Sequence, residues 1–265
     1  SLRLADLAGV KTRQALNTTP KERARRIRLN LERLRWLTSE PSARYLVVNI
    51  AAFELLAMER GTVRLRSAVI VGRHQRHTPV FSDHITALTL SPTWTPTPRM
   101  AREDLLPKIQ ADPGYLKRNH FRVFDGWSNT SRELDPQRIN WENITPETLA
   151  LRFRQDPGPI NSLGQIRFTL TNPAAIYLHD TPNKGLFAAT ERAFSSGCIR
   201  VAEALDLATF VLKGEPNWDL ARLEAEIALG RTRVVNLEKP VPIHITYLTA
   251  WVDEKGRLQQ RNDVY

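Results

Sequence analysis

Hydrophobic positions near the start of the chain follow a helical period. Ile27, Leu31 and Leu34 recur at the spacing of a helix with one buried face. They follow Thr19-Pro20-Lys21-Glu22, which has the form of a capping box with proline at the first helical position. The pattern predicts a helix from residue 20 to about 38, and Pro41 ends it.

From Tyr45 the pattern becomes that of β-strands. Short β-branched and apolar runs separated by turn residues are YLVVNI, AAFELLAMER, VRLRSAVIVG, ITALTL, GQIRFTL, AIYLH, TRVVNL and PIHITYLTAWVD. Two later stretches, AEALDLATFVL and residues 217 to about 229, have helical spacing. We therefore expect a mainly β domain with peripheral helices, an α+β fold class.

Residues 92–160 interrupt this pattern with many prolines. Short helical pieces are predicted around 102–110, 112–119 and 145–154, between irregular stretches. A long insertion of this kind in a β-domain is either a lid or binding loop or a surface embellishment, and the pattern alone leaves both open.

Composition adds an electrostatic expectation. Hydrophobic residues make up 42% and charged residues 25% of the 265 residues, the net charge is +10, and the pI is about 10.2. A basic chain favours anionic partners, but no basic-aromatic nucleic-acid module is present, so we expect no nucleic acid. No run is long and apolar enough for a membrane span, and no signal peptide precedes the patterned start, which we interpret as that of a mature fragment.

The single cysteine, Cys198, excludes an internal disulfide and a zinc site built from several thiolates. A lone cysteine is by default a small buried apolar residue. Its neighbours raise a second possibility, since Cys198 follows Gly197 directly and lies nineteen residues after His179.

A Cys–His pair at this spacing could form a nucleophilic centre. His179 would act as the base, the amides of Gly197 and Cys198 would stabilise an oxyanion, and Arg200 would lower the thiol pKa or bind a substrate carboxylate. Asp180 would orient the histidine through its side chain or its carbonyl, or simply begin a turn. From the residues alone, a catalytic pair and a structural histidine remain open.

The segment IYLHDTP…LF…RAFSSGCIRV resembles the active-site signature of L,D-transpeptidases with a YkuD-type catalytic domain. In that signature a histidine precedes the cysteine of an S/T-x-G-C motif, and an arginine follows closely. Further segments are similar to the large periplasmic subgroup with an inserted capping segment: ALNTTPKERARRIRLNLERLRWL, LVVNI, LTLSPTWTPTP, REDLLPKI, RQDPGPINSLGQIRF and YLTAWVDEKGRLQ.

The resemblance implies a domain organisation. Residues 1–19 would be the end of a peptidoglycan-binding-like domain, and residues 20–40 a linker helix. Residues 41–265 would form a β-sandwich-like catalytic domain, with a capping or lid segment inserted at about 96–160.

The resemblance also implies roles for the motif residues. Cys198 would be the nucleophile, His179 the general base, Gly197 part of the oxyanion turn, and Arg200 a substrate-binding residue. The carbonyl of Asp180 would orient the histidine.

The sequence departs from the commonest family pattern at Ser196, where many members carry histidine; we expect Ser196 to be a substrate-binding residue, like Arg200. Ser195 and Tyr177 flank the site as further donors, with strand packing as the alternative for Tyr177. Trp94 would line a substrate groove or belong to the core. Asn161, together with Gly164, would shape a turn facing the site.

The implied activity is transfer of a peptidoglycan stem peptide. A tetrapeptide donor would acylate the cysteine with loss of D-alanine, and a diaminopimelate amine of a second stem would take the acyl group, giving a 3→3 cross-link. No metal or cofactor is implied, carbapenem-type β-lactams are expected as covalent inhibitors, and the expected compartment is the periplasm, with a role in cell-wall organisation and cell shape. The alternatives are an L,D-carboxypeptidase, attachment of a lipoprotein through the same acyl-enzyme, and a non-catalytic wall-binding module.

Overall fold

The computed structural model describes residues 17–36, 42–128 and 130–265. The predicted remnant of an upstream domain at 1–19 therefore lies outside the described residues except for its last three. The predicted end of the linker helix, including Pro41, lies outside them as well. Among the described residues, no helix is long and apolar enough to cross a membrane.

The described residues contain fourteen strands. They are β1 (Arg44–Asn49), β2 (Glu54–Glu59), β3 (Thr62–Gly72), β4 (Phe81–Leu90), β5 (Phe121–Phe124), β6 (Glu133–Leu134), β7 (Arg152–Gln155), β8 (Ile166–Thr169), β9 (Leu178–His179), β10 (Ala193–Ser195), β11 (Ile199–Val201), β12 (Arg233–Thr246), β13 (Ala250–Val252) and β14 (Leu258–Gln260). The helices are α1 (Pro20–Arg35), α2 (Pro98–Met100), α3 (Leu106–Ala111), α4 (Tyr115–Arg118), α5 (Ala204–Leu212) and α6 (Leu220–Ala228). A π-helical turn, Ala101–Leu105, joins α2 to α3.

One nine-stranded sheet forms the main body, in the order β10-β3-β11-β9-β8-β4-β12-β1-β2. Because β2 also pairs with β3, the sheet closes on itself, and its strands share one buried apolar cluster with α5. The expected fold class, mainly β with peripheral helices, is confirmed, and the strands of the expected sandwich belong to this single closed sheet. The two strands predicted from TRVVNL and PIHITYLTAWVD are largely one long strand, β12, with an irregularity between Asn236 and Val241.

A second, smaller apolar cluster lies between β4 and β8 in sequence. Its buried residues come from the π-helical turn, from α3 and α4, and from β5 and β7 of the three-stranded sheet β6-β5-β7. Phe153 is fully buried in it. The helix predicted at 145–154 is wrong. Thr145 and Thr148 form a hydrogen-bonded turn, and β7 follows because Arg152–Gln155 pairs with β5.

Helix α1 begins with the predicted capping box between Thr19 and Glu22. Its buried residue, however, is Asn30, whereas Leu31 and Leu34 are 56% and 41% exposed. The Asn30 amide donates to Thr249 Oγ1 at 2.9 Å and accepts from the Thr249 amide at 2.8 Å. The helix is therefore attached to the β-domain by a buried amide pair, not by the leucines of the predicted face.

Replacing Asn30 by alanine should weaken this attachment. The amide of Thr249 would stay buried without its acceptor, at a cost of about 1–3 kcal/mol in unfolding free energy. Hydrogen exchange should accelerate in α1 while the β-sheet keeps its protection. Arg25→Ala, at an exposed position of the same helix, is the matched control, and equal exchange in the two variants would contradict the assignment.

Candidate active site

The register of neighbouring strands gathers the predicted site residues on one face of the sheet. β9 and β11 run parallel with Leu178 opposite Ile199 and His179 opposite Arg200. Leu178 and Ile199 are fully buried in the main core. Because side chains alternate along a strand, His179 and Arg200 point away from that core, as do Tyr177 and Cys198 one position before each paired stretch.

The turn before β11 holds the cysteine in place. Gly197 has a φ of +118°, a region that L side chains rarely adopt, and a Cβ there would lie 3.2 Å from Ile176 Cδ1. Ser195 braces the turn, since its hydroxyl donates to the Cys198 carbonyl at 2.6 Å and accepts from the Gly197 amide at 3.1 Å. The Ser195 side chain is thus buried in the turn, and the Gly197 amide predicted for the oxyanion site is engaged in this structure.

The ring of His179 is oriented by its neighbour. Nδ1 lies 2.5 Å from the carbonyl oxygen of Asp180, the contact that the sequence resemblance implies. A carbonyl can only accept, so Nδ1 carries the hydrogen and Nε2 is left with its lone pair. Burial, reinforced by the positive charge of Arg200, lowers the pKa of His179 to about 3, and the imidazole is therefore neutral at pH 7 and able to accept a proton.

The thiol is also neutral at rest. Burial raises the pKa of Cys198, and this outweighs the lowering by hydrogen bonds from Tyr177 and by the charges of Arg167 and Arg200. The expected lowering by Arg200 is thus present in direction but smaller than the effect of burial. A neutral thiol on the same sheet face as a neutral imidazole suits general-base activation at the moment of attack, in place of a standing thiolate–imidazolium pair.

Tyr177 and Trp94 connect the site to the smaller apolar cluster. The Tyr177 ring centroid lies 5.7 Å from that of His179, and burial raises the pKa of its phenol. Trp94 packs on Phe121 at 5.9 Å and pairs through its backbone with Gln155. It also lies close enough to Tyr177 to oppose the rise in the pKa of that phenol. Trp94 therefore lies where the inserted segment meets the site.

The loop after β3 supports the cysteine turn from behind. Thr78 Oγ1 donates to the Gly197 carbonyl at 2.7 Å, and Arg76 Nη1 donates to Ser196 Oγ at 2.6 Å. Arg76 is also paired with Glu103 and Asp104 of the π-helical turn. The Tyr265 hydroxyl holds the same loop through the Gly72 carbonyl at 2.9 Å.

Asn161 lies in a tight turn between β7 and β8. Its side chain is fully buried, donates to the Pro92 and Asp156 carbonyls at 3.0 and 2.9 Å, and accepts from the Leu163 amide. Gly164, at φ +61°, lies so close to Asp180 Oδ2 that a Cβ would be 2.3 Å from it. Because Asn161 has no exposed surface, its side chain offers no contact to a substrate in this structure.

The sequence pattern did not identify Arg76, Thr78, Tyr265 or Arg167. Arg76 and Thr78 contact the cysteine turn from 120 and 119 positions away in the chain, and Tyr265 contacts the loop that carries them. No local motif marks such contacts. Arg167 alternates with the apolar positions of QIRFT, which marks it as facing away from the core, but only the strand register shows that it lies opposite His179. In the described ranges, no group of three or more histidine, cysteine or acidic side chains could hold a metal ion.

Comparison with known sequences identifies similar proteins. Residues 43–235 match the family model described as the YkuD L,D-transpeptidase catalytic domain. A Haemophilus influenzae protein named "Putative L,D-transpeptidase" is 35% identical over 240 residues, which cover 91% of this chain and 47% of that protein. The chain thus spans about half the length of the curated relative it matches.

Solved structures are more distant. L,D-transpeptidase 3 from Mycobacterium tuberculosis with a faropenem-derived adduct is similar over 77% of this chain and 60% of that chain, at 13% identity and a TM-score of 0.37. The catalytic domain of an E. faecium L,D-transpeptidase acylated by ertapenem is similar over 78% of this chain and 99% of that chain, at 11% identity and a TM-score of 0.34.

The buried neutral histidine should make stability depend on pH. The folded-state pKa of about 3 lies below the unfolded value of about 6.5, so the unfolded state binds the extra proton and stability falls as pH drops below 6.5. Between pH 7 and pH 5 this contribution amounts to about 2 kcal/mol, and His179→Gln should remove it, flattening the pH profile of urea unfolding. His74→Gln, at an exposed histidine, should keep the wild-type slope; parallel profiles for wild type and His179→Gln would refute the assignment.

Proposed function

The chain belongs to the family of L,D-transpeptidases with a YkuD catalytic domain, and on that premise we propose that it forms 3→3 cross-links between peptidoglycan stem peptides through a thioester on Cys198. The observation that carries the proposal is the single sheet face bearing Tyr177, His179, Cys198 and Arg200, with the histidine oriented by the Asp180 carbonyl. This arrangement supplies a nucleophile, a neutral base and a cation on one face of the sheet.

The first half of the proposed reaction forms the acyl-enzyme. Nε2 of His179 takes the thiol proton as Cys198 Sγ attacks the carbonyl that joins the third stem residue to the terminal D-alanine. The amide of Cys198, with that of Gly197 once it is released from Ser195, stabilises the oxyanion. The C–N bond then breaks, the D-alanine amine leaves with the proton held by His179, and the thioester remains.

The second half returns the enzyme to its starting state. The side-chain amine of diaminopimelate in a second stem attacks the thioester, His179 removes the amine proton, and the thiolate leaves and is reprotonated. The net charge of +10 suits a polymer rich in carboxylates. A carbapenem-type β-lactam would acylate the same sulfur, and we place the reaction in the bacterial periplasm, where it would contribute to cell-wall organisation and cell shape.

The inserted segment, about residues 96–160, is proposed as a lid over this site. Its ion pairs reach Arg76, which hydrogen-bonds to Ser196 beside the catalytic turn, and Trp94 next to it contacts Tyr177. A closed lid would exclude water, so that an amine and not hydrolysis resolves the thioester.

The cross-linking reaction is tested with purified disaccharide tetrapeptide and mass spectrometry. A dimer that has lost one D-alanine is expected from the wild type, and Cys198→Ala, checked for an unchanged melting temperature, should give no product and no adduct with a carbapenem. Free tripeptide alone would indicate a carboxypeptidase. Products only after addition of a lipoprotein would indicate protein attachment, and absence of any product or adduct from the wild type would contradict the proposal.

The lid is tested by removing its ion pairs while leaving the catalytic turn intact. Glu103→Gln combined with Asp104→Asn should shift products several-fold from dimer towards tripeptide, because water then reaches the thioester. Arg99→Gln, which removes only the exposed Arg99–Glu103 pair, should keep the wild-type ratio. An unchanged ratio of dimer to tripeptide in the double variant would exclude the lid.

A further inference from the structure

Two arginines flank His179 across the sheet. On one side, Arg167 of β8 is paired with His179 in antiparallel register. On the other side, Arg200 of β11 is paired with it in parallel register. Since neighbouring strands lie about 4.8 Å apart, the two arginine backbones are about 10 Å from each other, and both side chains share the face of the thiol.

Neither guanidinium group has an anionic partner within the part of the chain that the structure describes. The Nε atoms of both arginines are buried, and no described residue accepts a hydrogen bond from either of them. The hydrogen bond that Arg167 makes goes from Nη2 to Thr169 Oγ1, at 3.2 Å. The carboxylate of Asp180 is used elsewhere, by Lys184 Nζ at 2.6 Å and by the Gln165 amide at 2.9 Å.

Such an arrangement is unfavourable unless an anion completes it, because a partly buried cation has lost hydration without gaining a counter-charge. The thiolate of Cys198 supplies at most one negative charge, and that charge disappears when the sulfur becomes a thioester. Two fixed positive charges therefore face one transient negative charge, and the second anion has to come from a ligand.

The position of Arg167 is also preorganised. Its guanidinium lies over the Tyr177 ring, 5.4 Å from the centroid, while the Thr169 hydroxyl holds one of its nitrogens. These contacts restrict the side chain before a ligand arrives, which reduces the entropy cost of binding. A planar guanidinium held in this way matches a carboxylate, to which it can donate two parallel hydrogen bonds.

We propose that Arg167 completes, with Arg200, a two-arginine subsite for a carboxylate of the donor peptide, and that Arg167 thereby determines specificity for an acidic donor. The inference rests on the proposed transpeptidase function. The donor offers this chemistry from two sources next to the scissile amide: the terminal carboxylate of the D-alanine that leaves, and the side-chain carboxylate of the third residue.

The test measures donor binding without turnover, in the Cys198→Ala background. Three tetrapeptide donors are compared by calorimetry: the free acid, the donor amidated at its terminal D-alanine, and the donor amidated at the side chain of the third residue. Adding Arg167→Gln should weaken binding of the free acid roughly 10- to 100-fold, the loss of one charge-assisted hydrogen-bonded pair. One of the two amidated donors should bind Cys198→Ala as weakly as the free acid binds the double variant. Adding Arg167→Gln should not weaken its binding further, and the amidated position then identifies the carboxylate that Arg167 binds.

Matched variants separate this role from general effects. Arg167→Lys should retain part of the preference for the free acid over the amidated donor. Arg64→Gln removes an arginine of β3 whose side chain is 54% exposed, and it should change the affinity for each donor by no more than about twofold. The inference is overturned if Arg167→Gln weakens all three donors by the same factor, or none of them. It is also overturned if the variant shifts the pH profile of Cys198 alkylation by neutral iodoacetamide while donor discrimination stays intact, because the arginine would then act on the thiol.

Failure of the proposed function gives a different result. In that case the enzyme with its intact thiol yields no product or acyl-enzyme from any donor, while the binding comparison in the Cys198→Ala background still decides whether the carboxylate subsite exists.

Discussion

The parallel pairing of β9 with β11 sets the geometry on which the site depends. With Leu178 opposite Ile199, the apolar members of both strands enter the core, and the alternate positions, Tyr177, His179 and Cys198, have to share the other face. A shift of one residue would turn the histidine into the core and an apolar side chain towards the thiol. Burial of the core residues thus maintains the arrangement of the reactive ones.

Burial also sets the chemistry of the pair. It raises the pKa of the thiol and lowers that of the imidazole, so the proton remains on sulfur until a substrate arrives. The positive charges of Arg167 and Arg200 act in the opposite direction on the thiol, but burial outweighs them. In the proposed reaction these charges stabilise the anions of the donor and of the developing thiolate, and the imidazole provides the base.

The catalytic turn is held from two sides by parts of the chain that are distant in sequence. Ser195 braces it from within, whereas Arg76 and Thr78 hold it from the loop after β3. Arg76 is also paired with acidic residues of the inserted segment, so a displacement of that segment would move Arg76 and alter its hydrogen bond to Ser196. This connection supports the proposed role of the segment as a lid.

Local sequence patterns predicted the predominance of β-structure, the capping box of α1 and the candidate roles of Cys198 and His179. These features were predictable because alternation, capping and motif spacing each involve residues that are close together in the chain. The same patterns misassigned the buried face of α1 and the end of the inserted segment, where the deciding contacts, Asn30 with Thr249 and β7 with β5, join distant residues. Cys198 and Arg200 were visible in one motif, but Arg167 and Arg76 reach the same site only through strand pairing and loop packing. The tertiary structure alone decided the protonation of the pair, since the pKa of a buried group depends on every charge and dipole folded around it.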